Sequence, residues 1–168
     1  ETNMIASNPF DGKRCAGTVG FALPNVEVKI TDPVTGKDLP QGADGMIEVR
    51  GPNVFQGYWR NPEKTKEDKR ADGFFITGDL GRIDADGYLV ISGRAKDLII
   101  TGGFNVYPKE VEEIIDALPG VIESAVIGLP HSDFGEAVTA VVATGDELDE
   151  SNMLAALKTR LCGIKVPK

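Results

Sequence analysis

The first half of the chain alternates apolar and polar positions in short runs, which is the pattern of half-buried β-strands. Strands are predicted over residues 26–31 and 45–51, with Gly- and Pro-rich turns around them. A hairpin is predicted where residues 81–84 and 88–91 flank Ala85-Asp86-Gly87, because Asp-Gly between two such runs favours a tight turn. This half therefore predicts a β-rich lobe, either a small barrel or a sandwich.

A short helix interrupts these strands. Asn61-Pro62-Glu63 is a helix-start signal, because Asn caps free N–H groups, Pro is tolerated at the first helical position and Glu suits the positive end of the dipole. The helix is predicted to reach about Arg70 and to lie on the surface. Its cations stand among carboxylates, which favours a solvated face formed by Lys64, Lys66, Lys69 and Arg70.

The second half changes from strands alone to an alternation of helices and strands. Pro108 can open a helix with an apolar face, and Pro119-Gly120 can end it. Strands are predicted over residues 124–128 and 137–143. The apolar positions at helical spacing are Val111, Ile114, Ile115 and Leu118 in the first helix and Leu154, Leu157 and Leu161 in the last. The fold class predicted is therefore α+β, with a β-rich domain over residues 1–95 and a small α+β domain over residues 96–168, and the boundary at Lys96.

Composition narrows the possible functions. With 168 residues, 41% of them hydrophobic, the chain can bury a core. A net charge of −8 argues against binding a nucleic acid backbone, although a few converging cations could still bind a phosphorylated small molecule. We find no apolar run of about 18 residues and no signal-peptide pattern, so we expect no membrane span and a cytoplasmic location. Cys15 and Cys162 are far apart and are predicted to be unpaired thiols.

The segment Thr77-Gly78-Asp79 is the first candidate for chemistry. A carboxylate at the end of an apolar strand can accept hydrogen bonds from two neighbouring hydroxyls, as a ribose diol offers them. The alternative is a plain turn aspartate. A short motif by itself favours the turn, but Arg94 follows the predicted hairpin and could reach the same diol, which strengthens the case for a binding site.

Residues 93–108 connect the two predicted domains and carry the other candidates. Lys96 and Asp97 form either a solvated linker or a hinge that absorbs a backbone change when domains rotate. Gly102-Gly103 forms either a turn or a place where a narrow ligand lies against bare backbone, and an isolated pair favours the turn.

Two further residues are interpreted as structural. His131 is the only histidine and has no Ser or Cys pattern around it that suggests a triad, so a structural or surface role is favoured over catalysis. Trp59, in Gly57-Tyr58-Trp59, is predicted to pack in the core and not to serve as a ligand platform.

Four motifs, taken in order, resemble those of the adenylate-forming superfamily, which contains acyl-CoA synthetases, peptide-synthetase adenylation domains and luciferases. Glu1-Thr2 resembles the end of a Tyr-Gly-x-Thr-Glu motif, and residues 45–59 resemble the Gly-Glu-Ile/Leu to Gly-Tyr-Trp motif, with Met46 where the family usually has Glu. Residues 75–79 resemble the aromatic-x-Thr-Gly-Asp motif. Residues 93–112 resemble the long hinge motif.

The resemblance implies a role for each candidate. Glu1 would hold the Mg²⁺ on ATP, Asp79 and Arg94 would bind the ribose hydroxyls, and Ile91 would pack near the nucleotide. Lys96 would be the hinge of the small domain. Gly102 and Gly103 would line the path of the pantetheine arm of coenzyme A.

The resemblance also implies a reaction in two steps. A carboxylate attacks the α-phosphate of ATP to give an acyl-adenylate and pyrophosphate, and the thiol of coenzyme A then displaces AMP. Within the superfamily, the amino-acid sequences of four segments are most similar to those of malonyl-CoA synthetases, namely residues 1–5, 17–20, 51–55 and 101–108. The expected partners are thus coenzyme A and a small carboxylic acid such as malonate.

The family's phosphate loop would lie upstream of Glu1, in a large domain, and its adenylation lysine downstream of Lys168. We therefore expect a C-terminal fragment of a ligase that is inactive by itself. A peptide-synthetase adenylation domain and a non-catalytic module that binds nucleotide or protein remain the alternatives.

Overall fold

A four-stranded antiparallel sheet organises the first of two units, Glu1–Ala95, in the computed structural model, which describes residues 1–145 and 149–168. In spatial order its strands are β3 (Glu27–Thr31), β4 (Gly45–Arg50), β5 (Phe75–Ile83) and β6 (Leu89–Arg94). The short strands β1 (Ala6–Ser7) and β2 (Phe21–Ala22) pair separately. The strands predicted over residues 26–31 and 45–51 are confirmed as β3 and β4.

The predicted hairpin is confirmed between β5 and β6, and its turn has a local cause. The Asp84 carboxylate accepts hydrogen bonds from the backbone N–H groups of Asp86 (3.0 Å) and Tyr88 (2.8 Å). Gly87 takes a φ of +89°, which an L-residue rarely adopts. This turn and a register shift between Leu80 and Gly81 together set which residues of β5 and β6 stand opposite each other.

The helix α1 (Pro62–Asp68) begins as the sequence predicts and buries no residue. The Asn61 side chain accepts a hydrogen bond from the Lys64 N–H at 3.1 Å, which caps the helix. The core beneath the sheet is apolar and consists of Ile30, Ile47, Val49, Val54, Phe75 and Leu89.

Among the described residues of the first unit, one charged side chain is fully buried. Glu48 is fully buried, and its Oε1 accepts hydrogen bonds from the Arg70 guanidinium (2.9 and 3.1 Å) and from the Thr31 hydroxyl (2.9 Å). The expectation that Arg70 belongs to a solvated helix face is therefore wrong, because its charge is directed at a buried carboxylate. Lys64 fits that expectation better, since it pairs with Asp68 across the exposed helix surface.

A second four-stranded sheet organises the other unit, Lys96–Lys168. In spatial order its strands are β8 (Phe104–Val106), β7 (Ile99–Thr101), β10 (Gly135–Thr144) and β9 (Val121–His131). The helices are α2 (Pro108–Asp116) and α3 (Glu150–Arg160), and a 3₁₀ turn spans Ala95–Asp97. The predicted strands at 124–128 and 137–143 are confirmed but are longer than expected.

The helices bury the apolar faces that their spacing predicts. Val111 and Ile115 of α2 and Leu157 of α3 pack with Val126 and Val138 of the sheet. Leu154 is partly buried, and Leu161 is buried just after the last helical residue. The neighbouring strand positions Ile127 and Val141 are exposed, as alternation across a sheet requires. The predicted α+β class is confirmed, and no helix among residues 1–145 and 149–168 is long and apolar enough to cross a membrane.

Candidate functional site

The first-unit hairpin brings two of the predicted site residues together. Asp79 on β5 stands directly opposite Arg94 on β6, and the Arg94 guanidinium donates a hydrogen bond to the Asp79 carboxylate. Their side chains are 27% and 56% exposed, so both remain accessible to a ligand. The prediction that the hairpin places these two charges side by side is confirmed.

The conformation of Thr77-Gly78-Asp79 explains how Asp79 is presented. The Thr77 hydroxyl donates to the Ile47 carbonyl (2.8 Å) and accepts from the Asp79 N–H (3.0 Å), which ties the segment to β4. Gly78 has a φ of +76°, a conformation that glycine tolerates best. The segment is therefore a bend within β5, not a turn between two elements.

Asp79 lines two adjoining cavities. One has a volume of about 350 Å³ and is bordered by Glu1, Tyr58, Thr77 and Arg94 in addition to Asp79. The other has a volume of about 250 Å³ and is largely apolar in its lining, which includes Ile5, Val19, Ile47, Leu89 and Ile91. The two cavities together offer a charged side and an apolar side around one carboxylate.

Tyr58 connects two carboxylates at the charged cavity. Its hydroxyl lies 3.1 Å from Asp68 Oδ2 and 3.3 Å from Glu1 Oε1. Burial, together with the neighbouring Asp68 carboxylate, raises the pKa of Tyr58 to about 12. Tyr58 was not singled out from the sequence, although it stands in the Gly57-Tyr58-Trp59 motif, because its contact with Glu1 spans 57 residues.

The Tyr58 phenol is therefore expected to titrate at about pH 12, above its ordinary value of 10.0. The folded state retains this proton to higher pH than the unfolded chain does. The contribution of protonated Tyr58 to the stability of the folded state is therefore complete below pH 10.0 and is lost as the pH rises through 12. An ultraviolet absorbance titration of the wild type minus that of Tyr58→Phe measures it. A difference curve centred on the ordinary value would contradict the buried environment.

The remaining predicted residues belong to the second unit. Lys96 lies exposed in the 3₁₀ turn Ala95–Asp97. Gly102 and Gly103 have φ values of +56° and +81° and form the two-residue turn between β7 and β8, so the turn interpretation of this pair is confirmed. In the first unit, the structure brings Glu1, Asp79 and Arg94 to one cavity and Ile91 to the cavity beside it.

The prediction for Trp59 is wrong. Its side chain is 86% exposed, with the Arg60 guanidinium 5.5 Å from the ring centroid. Positive φ at Arg60 (+52°) follows directly after it, so the chain turns here and the ring is left outside the core.

Other side chains agree with their predicted roles. His131 Nδ1 accepts a hydrogen bond from the Asp133 N–H at 3.2 Å, and its ring packs against Phe134, which is a structural role. Both cysteines are free thiols. Over residues 1–145 and 149–168, no group of three or more His, Cys, Asp or Glu side chains is arranged to hold a metal ion by itself.

Comparison with known proteins accounts for both units. The family model for AMP-binding enzymes matches residues 1–59, and the model for the C-terminal domain of AMP-binding enzymes matches residues 110–168. The two matched segments together cover more than half of the chain.

Individual relatives and a solved structure agree with the family models. A long-chain-fatty-acid–CoA ligase from Yersinia pestis is 42% identical over 98% of this chain and 29% of its own length. A feruloyl-CoA synthase from an Amycolatopsis species is 46% identical over 90% of this chain and 31% of its own. The crystal structure of ATP-bound MatB from Rhodopseudomonas palustris matches with a TM-score of 0.95 and 65% identity, over 100% of this chain and 34% of that one.

The chain thus spans about a third of the length of these relatives. Both family matches lead to one conclusion: the chain belongs to the family of AMP-binding enzymes.

Proposed function

We propose that the complete protein carrying this chain is an AMP-forming acyl-CoA ligase, which makes an acyl-adenylate from ATP and a carboxylic acid and then an acyl-CoA thioester. The observation that carries this proposal is the Asp79–Arg94 pair at the charged cavity, where Asp79 also lines the adjoining apolar cavity. A nucleotide needs both surfaces, because its ribose and phosphates are polar whereas its base has an apolar face.

In this proposal Asp79 accepts hydrogen bonds from the ribose hydroxyls. A carboxylate offers about four acceptor sites, so Asp79 can keep its bond with Arg94 while it binds a diol. Arg94 holds the carboxylate in place and can itself donate to a ribose oxygen, since a guanidinium has five N–H donors. Ile91, half-buried in the apolar cavity, packs near the nucleotide.

Glu1 could serve as a ligand for a Mg²⁺ ion that is bound together with ATP, but the described residues do not form a Mg²⁺ site by themselves. Mg²⁺ is usually held by one or two carboxylates plus substrate phosphates and water. Glu1 and Asp68 both approach the Tyr58 hydroxyl at the charged cavity, and no third ligand joins them within the described residues. Glu1 would hold the ion, which when bound neutralises phosphate charge.

The second step involves the second unit. Lys96 is proposed as the hinge about which this unit turns, and Gly102-Gly103 as the part that lines the path of the coenzyme A thiol. The bare turn supports this role, because a Cβ on Gly103 would meet no described atom within 4 Å and the surface is open there. We place the enzyme in the cytoplasm as part of the same proposal, since ATP and coenzyme A are available there.

Malonate is the acid we propose. MatB is a malonyl-CoA synthetase, and this chain is 65% identical to the 34% of MatB that it matches. The other relatives carry the names of long-chain and feruloyl ligases at 42% and 46% identity, so these acids are the competing substrates.

A substrate panel on the full-length protein tests the proposal. Malonate, methylmalonate, acetate, a long-chain fatty acid and ferulate are each supplied with ATP, Mg²⁺ and coenzyme A, and AMP and thioester are measured separately. We expect malonate to give the highest kcat/KM for thioester. AMP release without thioester would favour a peptide-synthetase type of adenylation domain, and no nucleotide turnover with any acid would favour a non-catalytic module. The 168-residue chain alone is expected to form no product.

Replacing Lys96 with Pro in the full-length protein is expected to slow thioester formation and to leave adenylation measurable. Pro fixes φ and so restricts the rotation that a hinge residue must allow. Acid-dependent pyrophosphate release and CoA-dependent thioester formation are measured on the same preparation, with a thermal melt to verify folding. Equal losses in the two half-reactions would contradict a hinge at Lys96.

A further inference from the structure

The hairpin that carries Gly102-Gly103 is joined to the rest of its sheet by few main-chain contacts. Thr101 of β7 pairs with Gly135 of β10, and the Gly102 N–H donates to the Phe134 carbonyl at 2.8 Å. Two residues before Gly102 the acceptor is a side chain: the Ile100 N–H donates to Oε2 of Glu136 at 2.6 Å. The Glu136 carboxylate thus accepts a hydrogen bond from β7 at a position where β7 and β10 are no longer paired through their backbones.

The opposite strand leaves room for this carboxylate. A Cβ placed on Gly128 of β9 would lie 2.9 Å from both Cδ and Oε1 of Glu136, closer than real contacts allow. Gly128 has no positive φ, so its backbone does not need glycine. A side chain at position 128 would therefore displace the Glu136 carboxyl from its present place.

We propose that Glu136 is a positioning residue for the second half-reaction. Its carboxylate holds the Gly102-Gly103 turn in place by accepting a hydrogen bond from the Ile100 N–H. The absence of a side chain at Gly128 leaves the space that this carboxylate occupies. This inference rests on the proposed function, because it takes that turn to line the path of the coenzyme A thiol. Glu136 itself touches neither glycine of the turn in this arrangement. It acts through the strand that leads into them.

The chemistry of the contact favours a positioning role. A hydrogen bond from an N–H to a carboxylate is about twice as strong as one between neutral groups. It also fixes an amide that β10 does not pair through its own backbone. Loss of the bond frees the start of the turn and leaves the core of the unit, built on Ile99 and Val106, in place.

The test uses three variants and one control in the full-length protein. Glu136→Ala removes the acceptor. Glu136→Gln keeps a side-chain oxygen that can still accept from Ile100. Gly128→Ala leaves Glu136 unchanged but pushes its carboxylate away. The control is Glu123→Ala in the same sheet. The Glu123 side chain is exposed and forms no hydrogen bond with residues 1–145 or 149–168.

We expect Glu136→Ala and Gly128→Ala to lower kcat/KM for coenzyme A by about tenfold, while acid-dependent pyrophosphate release changes by less than about twofold. Glu136→Gln should retain most of the wild-type rate, because it restores the acceptor. Equal losses in both half-reactions, or a Gln variant as impaired as Ala, would overturn the positioning role, as would wild-type coenzyme A kinetics in Glu136→Ala.

A second measurement separates this inference from the proposed function. Amide hydrogen exchange of the 168-residue chain reports the Ile100 N–H directly and needs no catalysis. Faster exchange at Ile100 in Glu136→Ala and Gly128→Ala, but not in Glu123→Ala, supports the contact even if the full-length protein proves not to use coenzyme A. Unchanged exchange at Ile100 would overturn the inference whatever the enzyme does.

Discussion

Replacing Asp79 with Asn is expected to raise the KM for ATP of the full-length protein by about 100-fold, with a smaller effect on kcat. Asn replaces one carboxylate oxygen with an NH₂ group that cannot accept from a ribose hydroxyl, and it removes the charge that strengthens the bond to the remaining oxygen. Together these losses are worth about 3 kcal/mol, which corresponds to a factor of this size. The ribose takes no part in bond making, so its contacts are the same in the ground state and the transition state. The loss should therefore appear in KM, measured by pyrophosphate release at varied ATP.

Two comparisons make the Asp79 experiment specific. The control is Asp86→Asn, which removes a carboxylate from the exposed turn of the same hairpin. The second comparison replaces ATP with 2′-deoxy-ATP and 3′-deoxy-ATP: the wild type should discriminate against both analogues, and Asp79→Asn should discriminate much less. If the variant kept the wild-type preference for ATP, Asp79 would not be the group that binds the ribose.

Replacing Arg70 with Gln is expected to destabilise the first unit by about 2 to 3 kcal/mol. The substitution leaves Glu48 fully buried without the guanidinium that donates to it at 2.9 and 3.1 Å. The expected cost is below the range of about 3 to 5 kcal/mol for a broken, fully buried ion pair. The reasons are that the Arg70 side chain is 43% exposed and that Lys29 Nζ lies 3.6 Å from the other Glu48 oxygen.

The matched control for Arg70 is Arg50→Gln on the same sheet. Arg50 is about as exposed as Arg70 and pairs with Glu27 at 2.6 Å, but the Glu27 side chain is 60% exposed whereas Glu48 is buried, so this loss should cost about 1 kcal/mol or less. Urea unfolding followed by circular dichroism, together with hydrogen exchange of β3 and β4, measures both variants. Equal effects of the two substitutions would show that burial of Glu48 does not determine the stability of this unit.

Local patterns in the sequence predicted most of the elements. The Asp-Gly turn, the Asn61 cap and the apolar spacing of α2 each depend on residues within a few positions, and all three are confirmed. The Asp79–Arg94 pair was predictable for the same reason, since a hairpin brings its two strands together by a local turn.

Predictions were wrong or incomplete where the surroundings of a residue depend on an unexpected turn of the chain or on a distant partner. Trp59 carries the largest aromatic side chain, and such residues are usually buried, but the turn at Arg60 leaves it 86% exposed. Arg70 stands in a charged run whose pattern indicates a solvated face, whereas its partner Glu48 is 22 residues away. Glu136 reaches Ile100 across 36 residues and has no signal in the neighbouring sequence.

The sequence by itself predicted the α+β class, the order of the motifs and the closeness of Asp79 and Arg94, because periodicity and turn chemistry are local. The other candidates have their proposed roles from the resemblance to the adenylate-forming superfamily, and these are Glu1, Ile91, Lys96, Gly102 and Gly103. Only the tertiary structure decided that Tyr58 joins Glu1 at the Asp79 cavity, that Glu48 is buried beneath Arg70 and that Glu136 holds the strand before Gly102-Gly103. Such contacts depend on how strands far apart in the chain align, and register between distant strands leaves no local pattern.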